Sequence, residues 1–225
     1  YCAGTPALDG YALVAGTGAT GARIEGGEVA AVADGLGWLV GDVGSGFWIG
    51  HQVVRAAFAG LDGRGPRTAL SERVLADLGL AEDGRRDEFG RPWVMAPALR
   101  QVYALRPVEV SRFAHLAFAD DDPVAQGIVA AAASGLAATL ATVADARVRG
   151  PLVLAGGVVS RHPRLVQTIA ATCADTLPAT DYLTQSDGTT GAAVLALREA
   201  GDTVDAHVFD VITATLTSLR APGTV

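Results

Sequence analysis

The stretch LVAGTGATGARIEGGEVAAVADGLGWLVGDVGSGFWIG, residues 13–50, contains two glycine-dense segments on which the predicted fold depends. The first, GTGATG at 16–21, follows a short apolar run at 11–15. The second, GDVGSG at 41–46, precedes an amphipathic helix predicted at 47–58. Glycine permits positive φ angles and lets the backbone approach a ligand closely, although it costs conformational entropy. Two such segments so close together predict loops that contact a ligand.

Strands and helices alternate along the rest of the chain, which predicts an α/β fold. Gly26 and Gly27 predict the turn of a hairpin between strands at 22–24 and 28–33, and Ser45 is predicted to cap the helix that follows it. Further strands are predicted at 151–155 and 181–184, and further helices at 69–78, 93–103, 108–118, 124–145, 164–177, 192–200 and 203–219. Three aromatic residues near the second glycine segment, Trp38, Phe47 and Trp48, are predicted to pack in the core.

The composition excludes several classes of partner. The chain has 225 residues, of which half are hydrophobic, and its net charge of −7 argues against binding to nucleic acid or to an anionic membrane. The apolar segment 128–144 is interrupted by serine, glycine and threonine, which indicates a buried helix rather than a membrane span. Cys2 and Cys173 are isolated thiols without CxxC spacing, which predicts a reducing, cytoplasmic location.

Potential metal ligands do not form a recognisable motif. Three consecutive aspartates at 120–122 could resemble a metal cluster, but capping and charge compensation at the start of the helix predicted at 124–145 explain them more simply. The four histidines are scattered without ligand spacing. We therefore predict no metal site built by the protein alone.

Glycine segments follow predicted strands at three places, 16–21, 156–157 and 188–191. Such positions, at the carboxyl ends of strands, are where α/β proteins bind phosphates and nucleotides. The segment 16–21 has the GxGxxG spelling, but strand residues follow it where a dinucleotide-binding fold requires a helix. The sequence therefore predicts a nucleotide site that is not of the Rossmann type.

Four strings in order, AGTGATG, GWLVGDVGSGFWIG, LVLAGGVV and SDGTTGAAVLAL, resemble the BadF/BadG/BcrA/BcrD ATPase family. Within it, the chain is similar to N-acetylglucosamine and glucosamine kinases of the actin-like sugar kinase and Hsp70 superfamily. The resemblance implies an actin-like, ribonuclease H-like ATPase lobe, with a mixed sheet flanked by helices. It also implies that ATP, with Mg²⁺, and a sugar meet in a cleft between two lobes.

The resemblance implies a role for six residues. Gly16, Thr17 and Gly18 are similar to a phosphate-binding loop, with the Thr17 hydroxyl near the β- and γ-phosphates. Gly156 and Gly157 are similar to the turn that binds adenosine. Asp42 is similar to the acidic residue that binds sugar hydroxyls, since a fixed carboxylate can accept two hydrogen bonds from a diol. The implied reaction phosphorylates the 6-hydroxyl of glucosamine or N-acetylglucosamine.

The chain also departs from the family pattern. The first phosphate loop of the family, an Asp-Gly-Gly-Thr-like hairpin, has no counterpart here, and the catalytic aspartate is expected upstream of Tyr1, so the catalytic residue is unknown. We expect residues 1–10 to be a remnant of an N-terminal lobe or hinge, 11–200 to form the C-terminal ATPase lobe, and 201–225 to form a C-terminal helix. The N-terminal lobe is expected to be absent from this sequence.

Two other functions are open alternatives: a radical-enzyme activator ATPase of the same family, and a non-catalytic sugar-binding or regulatory module. The isolated cysteines argue against the activator, because its relatives resemble one another in cysteines that bind an iron–sulfur cluster. Val43 and Leu36 stand where many relatives resemble one another in having glutamate and tryptophan, which favours free glucosamine over N-acetylglucosamine, although the choice of amino sugar is open. Also open are a homodimer and the role of segment 81–91, predicted to be a mobile surface excursion that could be a lid, a dimer contact or an idle loop.

Overall fold

A five-stranded mixed sheet organises the chain in the computed structural model, which describes residues 1–119 and 122–220. The strands are β1 (Gly10–Ala15), β2 (Ala19–Glu25), β3 (Glu28–Asp34), β4 (Gly150–Ala155) and β5 (Ala179–Gln185), in the spatial order β3-β2-β1-β4-β5. β1, β2 and β3 form an antiparallel meander, whereas β1, β4 and β5 are parallel. The predicted α/β class with a mixed sheet is confirmed.

Eight α-helices and one 3₁₀ helix are described. They are α1 (Gly46–Leu61), α2 (Ala69–Asp77), α3 (Met95–Ala104), the 3₁₀ helix Pro107–Phe118, α4 (Pro123–Val143), α5 (Gly157–Arg161), α6 (Pro163–Cys173), α7 (Thr189–Glu199) and α8 (Ala206–Arg220). The segment predicted as a helix at 108–118 is a 3₁₀ helix, and the short α5 was not predicted.

The predicted caps explain where two helices begin. The Ser45 hydroxyl accepts the Trp48 amide at 3.1 Å, so one of the free amides at the start of α1 is satisfied. The buried Asp122 accepts the amides of Val124 and Ala125 at the start of α4. It also accepts the Leu70 amide at 3.1 Å, so one carboxylate joins the starts of α2 and α4. The other predicted members of this triplet, at 120 and 121, lie outside the described residues.

α4 is the central helix of the core. It packs against β1, β2 and β3 and against α1, α6 and the 3₁₀ helix. Its side chains Leu136 and Leu140 are fully buried, together with Leu13 of β1 and Leu154 of β4. By length and composition alone α4 could cross a membrane, but this packing agrees with the predicted buried helix.

Two predictions of local structure were wrong. Residues 19–21 belong to β2, so the first glycine segment is a short hairpin turn at 16–18 rather than a six-residue loop. Trp38 is 51% exposed and lies outside the core, because it sits in a surface turn and touches the buried Phe47 only edge-on, with ring centroids 5.6 Å apart. Phe47 is buried as predicted, and Trp48 is partly buried.

The C-terminal helix α8 lies at the periphery. None of its described residues is buried, and it packs against α7. Arg220 at its end pairs with Asp187, which precedes α7, through Nη1 to Oδ2 at 2.6 Å and Nη2 to Oδ1 at 3.1 Å. The helix predicted at 203–219 is found as α8, which begins three residues later and ends at Arg220. Residues 221–225 lie outside the described residues.

Candidate functional site

Two of the predicted glycine turns meet at the carboxyl ends of β1 and β4. These strands are parallel neighbours, with Val14 paired to Ala155, so the turns that follow them leave the sheet side by side. Gly156 has a φ of 101°, and a Cβ atom built on it would lie 2.5 Å from the Ala15 carbonyl oxygen and 2.9 Å from the Gly16 nitrogen. Only glycine fits this contact. The segments predicted to bind phosphate and adenosine are therefore in direct contact.

The turn at 16–18 is held by the start of α1. The Gly16 amide donates to the Gly18 carbonyl at 2.9 Å and closes the turn. The amides of Gly46 and Phe47 donate to the carbonyls of Gly16 and Thr17, at 2.7 and 3.3 Å. The carbonyls of Gly16 and Thr17 are thus occupied by α1. By contrast, the amides of Thr17 and Gly18 and the exposed Thr17 hydroxyl have no protein partner in the described part of the chain. These donors are available to a ligand.

Asp42 lies beside this turn. It is 8% exposed, and its Oδ1 accepts the Ala19 amide at 3.1 Å. A Cβ atom built on Gly18 would lie 3.0 Å from Asp42 Oδ2, which shows how closely the turn covers the carboxylate. A pocket of about 290 Å³ opens here, lined by Val14, Gly16, Thr17, Gly18, Ala19, Thr20, Gly35 and Asp42. The structure therefore brings together the residues predicted to contact phosphate and sugar.

Asp34, the last residue of β3, was not singled out from the sequence. Its Oδ1 accepts the Asp42 amide at 2.7 Å, and its Oδ2 accepts the Val43 amide at 3.2 Å. The sequence contains one weak signal at this position, an aspartate followed by glycine directly after the strand predicted at 28–33. Its contact with Asp42 exists because the segment after β3 folds back so that residues 42 and 43 lie against the end of that strand. No local sequence pattern predicts this return.

Helix α4 supports the other side of the second glycine segment. Gly44 has a φ of 84°, and a Cβ atom on it would lie 2.5 Å from Leu136 Cγ and 2.7 Å from the Ala132 carbonyl oxygen. A Cβ atom on Gly135 would lie 2.3 Å from Val43 Cγ1. The turn that carries Asp42 is therefore pressed against α4 backbone and side chains. These supporting contacts were also missed from the sequence.

The third glycine segment, at 188–191, does not line this pocket. The Asp187 carboxylate accepts the Thr189 amide at 2.9 Å and pairs with Arg220. The Thr189 amide first, and then the Arg220 guanidinium, lower the pKa of Asp187 to about 2. This carboxylate ties α8 to the start of α7. Across the described residues, no group of three or more His, Cys, Asp or Glu side chains is placed to hold a metal ion.

A mixed sheet with a β1–β2–β3 meander, parallel β4 and β5, and glycine turns after β1 and β4 defines an actin-like ATPase lobe. The chain belongs to the BadF/BadG/BcrA/BcrD ATPase family, whose model matches residues 1–196. The resemblance predicted from the sequence is confirmed.

Individual relatives agree with this assignment. The chain is 27% identical over 196 residues to an N-acetyl-D-glucosamine kinase of Dictyostelium discoideum, covering 84% of this chain and 60% of that protein. It is similar in fold to two proteins named for a proposed N-acetylglucosamine kinase activity. The one from Chromobacterium violaceum has a TM-score of 0.54 at 23% identity, covering 76% of this chain and 55% of that one. The one from Porphyromonas gingivalis has a TM-score of 0.56 at 17% identity, covering 85% and 60%. The chain thus spans little more than half the length of the proteins it matches.

Proposed function

We propose that the intact protein is an ATP-dependent amino-sugar kinase. In this proposal it transfers the γ-phosphoryl group of Mg-ATP to the 6-hydroxyl of glucosamine or N-acetylglucosamine. One observation carries the proposal: the turn at 16–18 contacts Gly156 on one side and Asp42 on the other. The family and the amino-sugar kinase from Dictyostelium discoideum support it.

The proposed phosphate site is the turn at 16–18. Phosphoryl transfer depends mainly on positioning and on stabilising charge on the phosphate oxygens. The amides of Thr17 and Gly18 and the Thr17 hydroxyl are donors without a protein partner in the described chain. α1 contributes by fixing the turn, because its own first amides are already donated to the carbonyls of Gly16 and Thr17. Gly156 and Gly157 are proposed to hold the adenosine on the β4 side.

The proposed sugar site is the Asp42 carboxylate. Its Oδ1 is occupied by the Ala19 amide, so Oδ2, next to Gly18, is the oxygen available to a sugar hydroxyl. Charge-assisted hydrogen bonds of this kind are short and strong. Because the turn at 16–18 lies against the same carboxylate, a sugar bound there would be held close to the γ-phosphate. Such fixed proximity is a major source of rate enhancement. We assign no general base within residues 1–225.

The proposed substrates are small molecules and the proposed location is the cytoplasm, and the net charge of −7 argues against nucleic acid and anionic membranes as partners. The test is a coupled assay of the intact protein with Mg-ATP and glucosamine, N-acetylglucosamine, glucose or no sugar, with the product identified by NMR. ADP release that requires an amino sugar, with phosphate found on the 6-oxygen, supports the proposal. ADP release independent of sugar favours an activator ATPase, and sugar binding without ADP release favours a non-catalytic module. Either of these results overturns it.

A further inference from the structure

Asp34 and Asp42 share an uncommon backbone conformation. Their φ angles are 62° and 58°, and they are the two residues other than glycine with positive φ in the described ranges 1–119 and 122–220. Aspartate tolerates the left-handed region better than most side chains, but the conformation still needs support from its surroundings. The support comes from two hydrogen bonds that the Asp34 carboxylate accepts, one from the Asp42 amide and one from the Val43 amide.

The Asp34 carboxylate uses both oxygens on the segment that carries Asp42. Oδ1 accepts the Asp42 amide at 2.7 Å and Oδ2 accepts the Val43 amide at 3.2 Å. A carboxylate that accepts two consecutive backbone amides holds both amide nitrogens in place. The amides of Asp42 and Val43 flank the Cα atom of Asp42, so Asp34 sets the direction in which the Asp42 side chain leaves the backbone.

The other end of Asp42 is held by β2. Its Oδ1 accepts the Ala19 amide, while the Ala19 carbonyl accepts the Gly35 amide at 2.9 Å. Asp34 itself pairs with Thr20 in the sheet. Both the backbone and one carboxylate oxygen of Asp42 are therefore fixed to the β2–β3 ladder, and Oδ2 is left beside Gly18 at the pocket.

We propose that Asp34 is a positioning residue that orients the Asp42 carboxylate toward the sugar. This inference rests on the proposed amino-sugar kinase function. Asp34 does not line the pocket, so its effect on the substrate passes through Asp42. Loss of the Asp34 carboxylate would release the Asp42 backbone and weaken sugar binding, whereas the turn at 16–18 would keep its own bonds to α1 and continue to bind ATP.

Two substitutions separate the carboxylate from the backbone conformation. Asp34→Gly keeps the positive φ without strain but removes both acceptors. Asp34→Asn tolerates the same φ and keeps one acceptor oxygen. Asp87 is a matched control, because it also accepts two backbone amides, those of Phe89 and Arg91, in an exposed turn away from the pocket. Both amides donate to Asp87 Oδ1, so Asp87→Gly removes both bonds elsewhere in the protein, whereas Asp87→Asn keeps one acceptor oxygen, as Asp34→Asn does.

The experiment measures steady-state kinetics with amino sugar and ATP varied separately, together with amide hydrogen exchange in the absence of substrates. We expect Asp34→Gly to raise the sugar KM by roughly tenfold or more, Asp34→Asn to raise it less, and both to leave the ATP KM nearly unchanged. The amides of Asp42 and Val43 should exchange faster in Asp34→Gly. Both Asp87 variants should match the wild type in sugar KM and in these two amides.

The outcomes distinguish this inference from the proposed function. If the wild type phosphorylates an amino sugar but Asp34→Gly has an unchanged sugar KM, or raises the sugar and ATP KM equally, the positioning role is wrong and the kinase function stands. Unchanged exchange of the Asp42 and Val43 amides would overturn the role as well. If the wild type phosphorylates no amino sugar, the proposed function fails and the role of Asp34 toward a sugar fails with it.

Discussion

Gly156 lies against Ala15 so closely that no side chain can be placed between them. A Cβ atom on Gly156 would be 2.5 Å from the Ala15 carbonyl oxygen, far inside van der Waals contact. Because Ala15 ends β1 and Gly156 follows β4, this contact sets how near the two glycine turns come to one another. The proposed nucleotide site depends on that proximity.

Gly156→Ala should be strongly destabilising. It adds a backbone clash at a residue whose φ of 101° is already unfavourable for alanine, so we expect a loss of about 2 kcal/mol or more in the free energy of unfolding. Urea denaturation measures it. Gly157→Ala is the matched control, since a Cβ atom there meets nothing within 4 Å, and its stability should stay within about 0.5 kcal/mol of wild type. Equal losses in the two variants would contradict the geometry.

Thr17→Ala should impair phosphoryl transfer without affecting stability. Thr17 is exposed, and its hydroxyl has no partner in the described chain, so the folded state loses nothing when it is removed. If the hydroxyl stabilises charge on the transferred phosphate, kcat/KM should fall by about a hundredfold. Thr17→Ser keeps the hydroxyl and should restore most of the activity. Wild-type turnover by Thr17→Ala in the coupled assay would remove Thr17 from the proposed site.

Gly44→Ala should destabilise the turn that carries Asp42. The added methyl group would overlap Leu136 of α4 at a position with positive φ, so we expect a cost of about 3 kcal/mol in unfolding free energy. Gly127→Ala, on an exposed and open position of the same helix, should instead stabilise by about 1 kcal/mol through helix propensity. Thermal unfolding of both variants tests the pair, and a neutral Gly44→Ala would show that α4 does not press on this turn.

The ion pair between Asp187 and Arg220 of α8 should weaken in acid. The Thr189 amide and Arg220 lower the pKa of Asp187 from 3.8 to about 2, so its contribution to stability is complete above pH 4 and is lost as the pH falls through about 2. Asp187→Asn should therefore be less stable than wild type at pH 5, and the difference should shrink toward pH 2. Urea denaturation between pH 5 and 2 measures this difference. A difference that is constant over that range would contradict the assignment.

Local patterns in the sequence determined much of the secondary structure. Gly26 and Gly27 predicted the β2–β3 hairpin because a two-residue turn needs positive φ, and both adopt it, at 60° and 87°. Ser45 predicted the start of α1 because a hydroxyl at that position satisfies a free amide. The apolar composition of 128–144 predicted a core helix. Each of these signals lies within a few residues of its effect.

The resemblance to a family could be recognised from the sequence because four short strings occur in a characteristic order. It suggested Gly16–Gly18, Asp42 and Gly156–Gly157 as site residues without showing that they meet. Trp38 was wrongly predicted to be buried, because an aromatic side chain carries no local signal that separates a core position from an exposed turn.

The sequence by itself thus determined the α/β class, the helix caps and the hairpin, since these depend on interactions between close neighbours in the chain. Only the tertiary structure decided that Gly156 contacts Ala15, that Asp34 holds Asp42, and that Gly44 packs on Leu136. Those contacts join residues from 8 to more than 100 positions apart. The order β3-β2-β1-β4-β5 brings the ends of β1 and β4 together, and the packing of α4 against the sheet places Leu136 beside Gly44. Hydrogen bonding and steric fit at that edge of the sheet, rather than any local pattern, assemble the candidate site.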